Sequence, residues 1–129
     1  MADGIQLIVV DAANVIGSRP DGWWRDRAGA ARRLLEKLSA STLRREQPVE
    51  VVVVLEGKAK AADPSVDGVR VVLADSSGDD AIVDVVAAAV EQNSTRSITV
   101  VTADRELRDR VAALGAHTVG PGWLLERIG

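Results

Sequence analysis

Ile5-Gln6-Leu7-Ile8-Val9-Val10-Asp11-Ala12-Ala13-Asn14 is the stretch that decides how this chain reads. Five of the six residues before Asp11 are apolar, four of them consecutive and three of those β-branched. Such a run predicts a strand buried on both faces, as in the middle of a parallel sheet. It stops at a carboxylate, with an asparagine three residues on. In an open α/β sheet, ligands and chemistry gather outside the carboxyl ends of the strands. Asp11 is therefore a candidate working group, and the rest of the chain can be asked whether it supports one.

Downstream, Gly17-Ser18-Arg19-Pro20-Asp21-Gly22 is rich in turn formers, and a helix follows, capped by Asp21 or a neighbour. Trp24, Ala28, Ala31, Leu35 and Leu38 recur at helical spacing, which predicts a stripe facing the sheet and an end near Arg45, before Pro48. Val49–Leu55 is the second expected strand, Gly57–Gly68 a loop, and Val69–Leu73 the third strand. A helix is expected over about Asp79–Gln92, with Ile82, Val83, Val86 and Val90 inward. Ser97–Val101 is the fourth strand, and a short helix through Leu107, Val111 and Leu114 ends at Gly115. His117–Val119 is a short last strand before a helical turn holding Trp123, Leu124 and Leu125. Alternating strands and helices predict an α/β fold: a central, mostly parallel sheet with helices on both faces, in one domain over residues 1–129.

Composition narrows the chemistry. The 129 residues hold no Cys, which excludes a disulfide framework, a thiolate metal site and cysteine catalysis. A single His, His117, excludes a histidine metal cage. No apolar run approaches a membrane span, and Asp3 precedes the first strand where a signal peptide would be basic. The expectation is a soluble, cytoplasmic protein with no membrane partner. A net charge of −3 argues against nucleic-acid binding through bulk charge, while leaving room for a local basic rim.

Taken singly, each remaining acid has a plain structural explanation. Asp11 can cap the turn after its strand, Glu56 can be a solvated strand end, and Asp104 sits where a helix cap belongs. Ser77-Gly78-Asp79-Asp80 fits a capping box whose acids favour the helix dipole. Together they say more. Asp11, Glu56, Asp79, Asp80 and Asp104 all fall just beyond the carboxyl ends of successive strands, and a parallel sheet brings those ends to one edge. Carboxylates crowded in this way raise one another's pKa unless a cation compensates. Oxygen ligands without His or Cys suit Mg²⁺ or Mn²⁺. Such an ion at a phosphate-binding edge is equipped for phosphodiester hydrolysis.

Val9-Val10-Asp11-Ala12-Ala13-Asn14-Val15-Ile16-Gly17, Glu56-Gly57, Ser77-Gly78-Asp79-Asp80-Ala81-Ile82 and Val101-Thr102-Ala103-Asp104-Arg105-Glu106-Leu107 resemble NYN domains of the PIN-like nuclease superfamily, particularly the YacP-like branch. The resemblance runs in order over nearly the whole chain. It implies a three-layer α/β domain with strand order 3-2-1-4-5 and metal-dependent endoribonuclease activity on single-stranded or loop RNA, in a ribosome or RNA-processing context. Position by position, Asp11, Asp79 and Asp104 match the family's metal-binding acids, and Asn14 the polar residue that supports the first. Glu56 stands where the family often has Asp before Gly, and Asp80 matches a frequent second acid. Ala12 replaces the glycine usual after the first Asp.

Arg19, Arg25, Lys58, Lys60 and Arg105 lie in segments at or near the same edge, as a rim for RNA phosphates would. Trp23 and Trp24 are adjacent, so one helix face cannot bury both. Trp24 falls on the inward stripe, which leaves Trp23 as the candidate for stacking on a base. Trp123 reads as a hydrophobic anchor and His117 as structural. Other acid-site folds fit poorly. A receiver domain needs paired acids at the first strand end, a dehalogenase-type phosphatase needs an Asp at position 13, and a dinucleotide site needs a glycine-rich first turn. The alternative of another class is an inactive PIN-like domain that binds RNA or a protein.

Overall fold

The structure, a computed structural model, describes residues 5–19, 22–40, 49–61 and 68–128. Five parallel strands form one sheet in the order β3-β2-β1-β4-β5: β1 Gln6–Asp11, β2 Val49–Leu55, β3 Val69–Leu73, β4 Ile98–Val101 and β5 His117–Val119. The strand built on the opening stretch is the central one. It pairs with β2 on one side and β4 on the other, with Val9 opposite both Val52 and Val100.

That position explains its unbroken apolar run. Ile8 and Val10 face one layer with Val51, Val53, Leu55 and Val101, while Leu7 and Val9 face the other with Val52, Val54, Ile98 and Val100. Successive side chains of a strand point to opposite faces, so a strand covered on both must be apolar throughout. The first layer is closed by α1 (Ala12–Gly17), α2 (Arg27–Ala40) and α5 (Pro121–Ile128), through Val15, Leu34, Leu35, Leu38 and Leu124. The second is closed by α3 (Gly78–Gln92) and α4 (Arg105–Ala112), through Ile82, Val86, Ala89, Leu107 and Val111. Val83 and Val90 pack at the margin of this layer, half-buried.

Three local expectations need correction. A six-residue helix, α1, starts directly after Asp11, where the sequence suggested only the approach to a turn. Trp24 does not join the inward stripe of α2. Gly22, at φ +83°, starts a separate 3₁₀ turn over Trp23–Arg25, so the α2 register begins later and the Trp24 residue is 53% exposed. The buried stripe is instead Ala30, Ala31, Leu34, Leu35 and Leu38. Asp26 caps this helix, its Oδ1 accepting from the Gly29 N–H at 2.9 Å. Finally, Gly57–Ala61 is a 3₁₀ helix inside the expected loop. The Asp21 cap, the helix end near Arg45 and the loop over 62–67 lie outside the described residues. Among the described residues, no helix is long and apolar enough to cross a membrane.

Candidate functional site

From β1 the chain winds outward through β2 to β3, then returns to the far side of β1 as β4 and β5. The winding therefore reverses between β1 and β4, and the carboxyl ends of these two strands flank the natural crevice of such a sheet. Register fixes what stands there. Val10 pairs with Val101, so Thr102 comes to lie beside Asp11. The Thr102 hydroxyl donates to Asp11 Oδ2 at 2.9 Å and accepts from the Asp104 N–H at 3.1 Å. Arg108 Nε in turn donates to the Thr102 carbonyl at 2.8 Å. Asp11 also caps α1, its Oδ1 facing the Asn14 N–H at 3.4 Å. The Asn14 side chain reaches across the crevice and accepts from the Ala103 N–H at 2.8 Å. Asn14 thus ties the segment after β1 to the segment after β4.

Asp11 is 5% exposed. Burial pushes its carboxyl up from the ordinary 3.8 to about 6 against the pull of the Thr102 and Asn14 hydrogen bonds, and the charges of Asp79 and Glu56 push the same way. Asp79, in the first turn of α3, is raised first by burial and next by Asp104 and Glu56, with Arg110 opposing and Glu106 adding. Asp11, Asp79, Asp104 and Glu56 therefore share one electrostatic neighbourhood. Glu56 is held by the Gly78 N–H, which donates to Oε2 at 3.0 Å. A Cβ at Gly78 would stand 2.9 Å from Glu56 Oε1, so the missing side chain is what lets this carboxylate approach α3. Asp104 caps α4 through the Leu107 N–H at 3.0 Å.

Asp80 goes elsewhere. Ser77 caps α3 by accepting from the Asp80 N–H at 3.2 Å, as the capping box requires. The Asp80 carboxylate does not reciprocate onto backbone N–H; it turns outward to Arg110 at 3.0 Å, with the side chain 63% exposed.

No three His, Cys, Asp or Glu side chains among the described residues stand close enough to hold one metal ion. Four of the five acids have separate partners instead: Thr102 for Asp11, Gly78 for Glu56, Leu107 for Asp104 and Arg110 for Asp80. The donor chemistry nevertheless suits a hard cation. Mg²⁺ keeps several waters and is commonly held by one or two carboxylates together with substrate phosphate. A buried aspartate acted on by two neutral donors and two acids gains from such an ion.

The expected basic rim is uneven. Lys58 and Arg105 are exposed, whereas Lys60 is tied down, its Nζ donating to the Ala74 carbonyl at 2.9 Å. Arg25 lies against Trp24, 5.9 Å from its ring centroid, and Arg19 lines a shallow cleft with Arg33 and Lys37. Trp23 lines a cavity of about 310 Å³ together with Glu56 and Ala13. A larger cleft of about 630 Å³ runs between β3 and α3 and reaches Asp80, but Asp11, Glu56, Asp79 and Asp104 are not in its walls. His117 is exposed at the amino end of β5.

Sequence reasoning missed Thr102, Gly78, Arg110 and Arg27. Thr102 had a visible signal, being a hydroxyl directly after a mostly apolar, fully buried strand and beside the acid of its neighbour. The other three depend on which side chains meet across elements, and spacing along the chain does not show that.

Two crystal structures of Rae1 (YacP) from Bacillus subtilis share this fold. The W164L mutant superposes with a TM-score of 0.73 at 21% identity, covering 95% of this chain and 74% of that one. A second Rae1 structure gives 0.71 at 18% identity, covering 95% and 73%. No curated protein matches the sequence. The sequence pattern of the YacP-like NYN domain, a family of nuclease type, matches residues 8–129, from inside the central strand to the last residue. The chain belongs to the YacP-like NYN domain family.

Proposed function

We propose that this chain is one NYN domain acting in the cytoplasm as a divalent-metal-dependent endoribonuclease, cutting single-stranded or loop RNA at the carboxyl edge of its sheet. One observation carries the reading: a buried carboxylate, Asp11, is held by Thr102 and Asn14 among Asp79, Glu56 and Asp104 at the switch between β1 and β4. Asp11 and Asp79 would hold Mg²⁺ or Mn²⁺, with Glu56 and Asp104 acting through water and Asp80 contributing charge from outside. The ion would supply charge for the phosphate oxygens and a water acidic enough to attack. The chain's own part is positioning. Thr102 fixes Asp11 and the Asp104 backbone at once, and Asn14 holds the two strand ends at a set separation. In the hydrolysis, the water oxygen gives up a proton as it bonds to phosphorus, the bond from phosphorus to the ribose oxygen breaks, and that leaving oxygen takes up a proton. One water is consumed and no net proton is gained or lost. Lys58 and Arg105 would meet the RNA backbone, with Arg19, Arg25 and Lys60 in the outer rim.

A second reading has one observation in its favour. Since four of the five acids already have their own protein partners and, among the described residues, no three stand close enough to hold one ion, the domain could bind RNA or a protein without cutting. Incubating the purified protein with structured and unstructured RNA, in Mn²⁺ or in chelator, separates the two. Cleavage in Mn²⁺ that chelator abolishes and Asp11→Asn removes is expected. Cleavage that survives chelation would refute the metal-dependent mechanism, and binding without cleavage would favour the second reading.

A further inference from the structure

Glu56 has a second face. On one side it meets the acids of the crevice, and on the other it forms a wall of the cavity of about 310 Å³ with Ala13, Ile16, Trp23, Arg27 and Ala59. The cavity begins two residues after Asp11 in the chain, at the exposed Ala13, so it opens beside the acidic edge. Its walls are mostly small or aliphatic. The polar groups are few: the Glu56 carboxylate, the Ser76 hydroxyl and the Arg27 guanidinium. That mixture, at the lower end of the size range of small-molecule pockets, suits a small ligand with an apolar body and a polar edge.

Trp23 is set in place as a platform. Its ring lies close to Gly17, where a Cβ would stand 3.7 Å from the indole Cζ2. The Trp24 ring meets it edge-on, with centroids 6.0 Å apart at 87°, and the Arg27 guanidinium sits 5.5 Å from its centroid. A ring with three such neighbours loses little further freedom on stacking. Trp23 is only half-buried and lines a cavity, so core packing does not account for it.

We infer that this cavity receives one unpaired nucleobase, stacked on Trp23, from a nucleotide next to the phosphate at the acidic edge. The ligand class rests on the nuclease reading; the pocket and its platform do not. A base entering here meets a carboxylate acceptor and a hydroxyl at its edge. Base pairing would hold it out, which gives a physical reason for choosing single-stranded over duplex RNA.

The test reads binding in chelator, with no cleavage, by fluorescence anisotropy of a short labelled single-stranded RNA of mixed sequence. Stacking on an aromatic side chain is worth enough that Trp23→Ala should weaken binding by roughly 5- to 150-fold, with Trp23→Phe retaining most of it. Ala59→Leu, which adds bulk to another lining residue of the cavity and keeps the Trp23 ring, should give a comparable loss. Moving one abasic nucleotide along the RNA should expose a position where the parent loses affinity and Trp23→Ala loses no more, as coupled partners do. The inference is overturned if the parent shows no such position, if the parent binds no RNA, or if a folded Ala59→Leu variant binds as the parent does. Cleavage is read separately in Mn²⁺. Abasic coupling without any cleavage would sink the nuclease reading and leave the pocket standing, and cleavage without coupling would do the reverse.

Discussion

Asp11→Asn should make the metal-free protein more stable at neutral pH while removing its activity. Folded, Asp11 titrates at about 6; unfolded, it returns to 3.8. Between those values the native chain binds a proton that the unfolded chain has released, so stability falls as pH rises through the window. The contribution is full below the unfolded value and lost above the folded one. The gap from 3.8 to about 6 is worth about 3 kcal/mol, and Asp11 is 5% exposed, so solvent screens little of it. Asparagine carries no charge and keeps one oxygen for Thr102. It forfeits the acceptor facing the Asn14 N–H, at a loss of about 1 kcal/mol. The balance, about 2 kcal/mol, corresponds to a melting point roughly 5–10 °C higher for a chain of this length. At about pH 4 the parent's Asp11 is largely protonated and the advantage should vanish. Thermal melts of both proteins in chelator at the two pH values measure this directly. Added Mn²⁺ should raise the parent by mass action and do much less for the variant. If the variant melts lower than the parent in chelator at neutral pH, Asp11 is a structural cap and the strained acidic site does not exist.

Thr102→Val keeps the shape but removes the hydroxyl shared by Asp11 and Asp104; melts should show a loss of about 1–3 kcal/mol, and the acid limb of the cleavage profile should move to higher pH because a donor to the charged form is gone. Gly78→Ala should change stability by less than about 1 kcal/mol, since the flexible Glu56 can yield, yet lower the cleavage rate by up to about a hundredfold as that carboxylate is displaced by roughly 1 Å. Asp79→Asn should abolish Mn²⁺-dependent cleavage, whereas Asp80→Asn, which only frees Arg110 from an exposed pair, should retain it and melt within about 1 kcal/mol of the parent. The reverse outcome in paired cleavage assays would exchange the roles of these two acids.

How much of this was legible in the sequence follows from what each feature depends on. β1 and most of β2 are buried on both faces and read as apolar runs, while the edge strands β3 and β5, partly exposed and carrying Arg70 and His117, still show as short β-branched stretches between breakers; β2, β3 and β5 fall where Val49–Leu55, Val69–Leu73 and His117–Val119 were expected. α3 follows its apolar spacing, starting one residue before Asp79. α1 escaped because six residues are too few to show a helical period, and its Asp11 cap looks the same as a turn. Trp24 misled because it belongs to a separate 3₁₀ turn, and Asp26, extended at φ −150° and ψ 81°, breaks the helical register between it and Ala28. The acids at the strand ends were legible because a parallel sheet brings every such end to one edge. Their pairings were not: whether Asp80 faces Glu56 or Arg110 depends on how α4 docks against α3, a packing outcome with no local signature. The same holds for the cavity behind Glu56, whose walls come from four separate segments.

The most direct measurement is anomalous diffraction from crystals soaked in Mn²⁺, collected for the parent and for Asp11→Asn. The account predicts a manganese peak in contact with the carboxylates of Asp11 and Asp79, lost in the variant. Manganese bound away from both residues, or binding to the variant as well as to the parent, would contradict it.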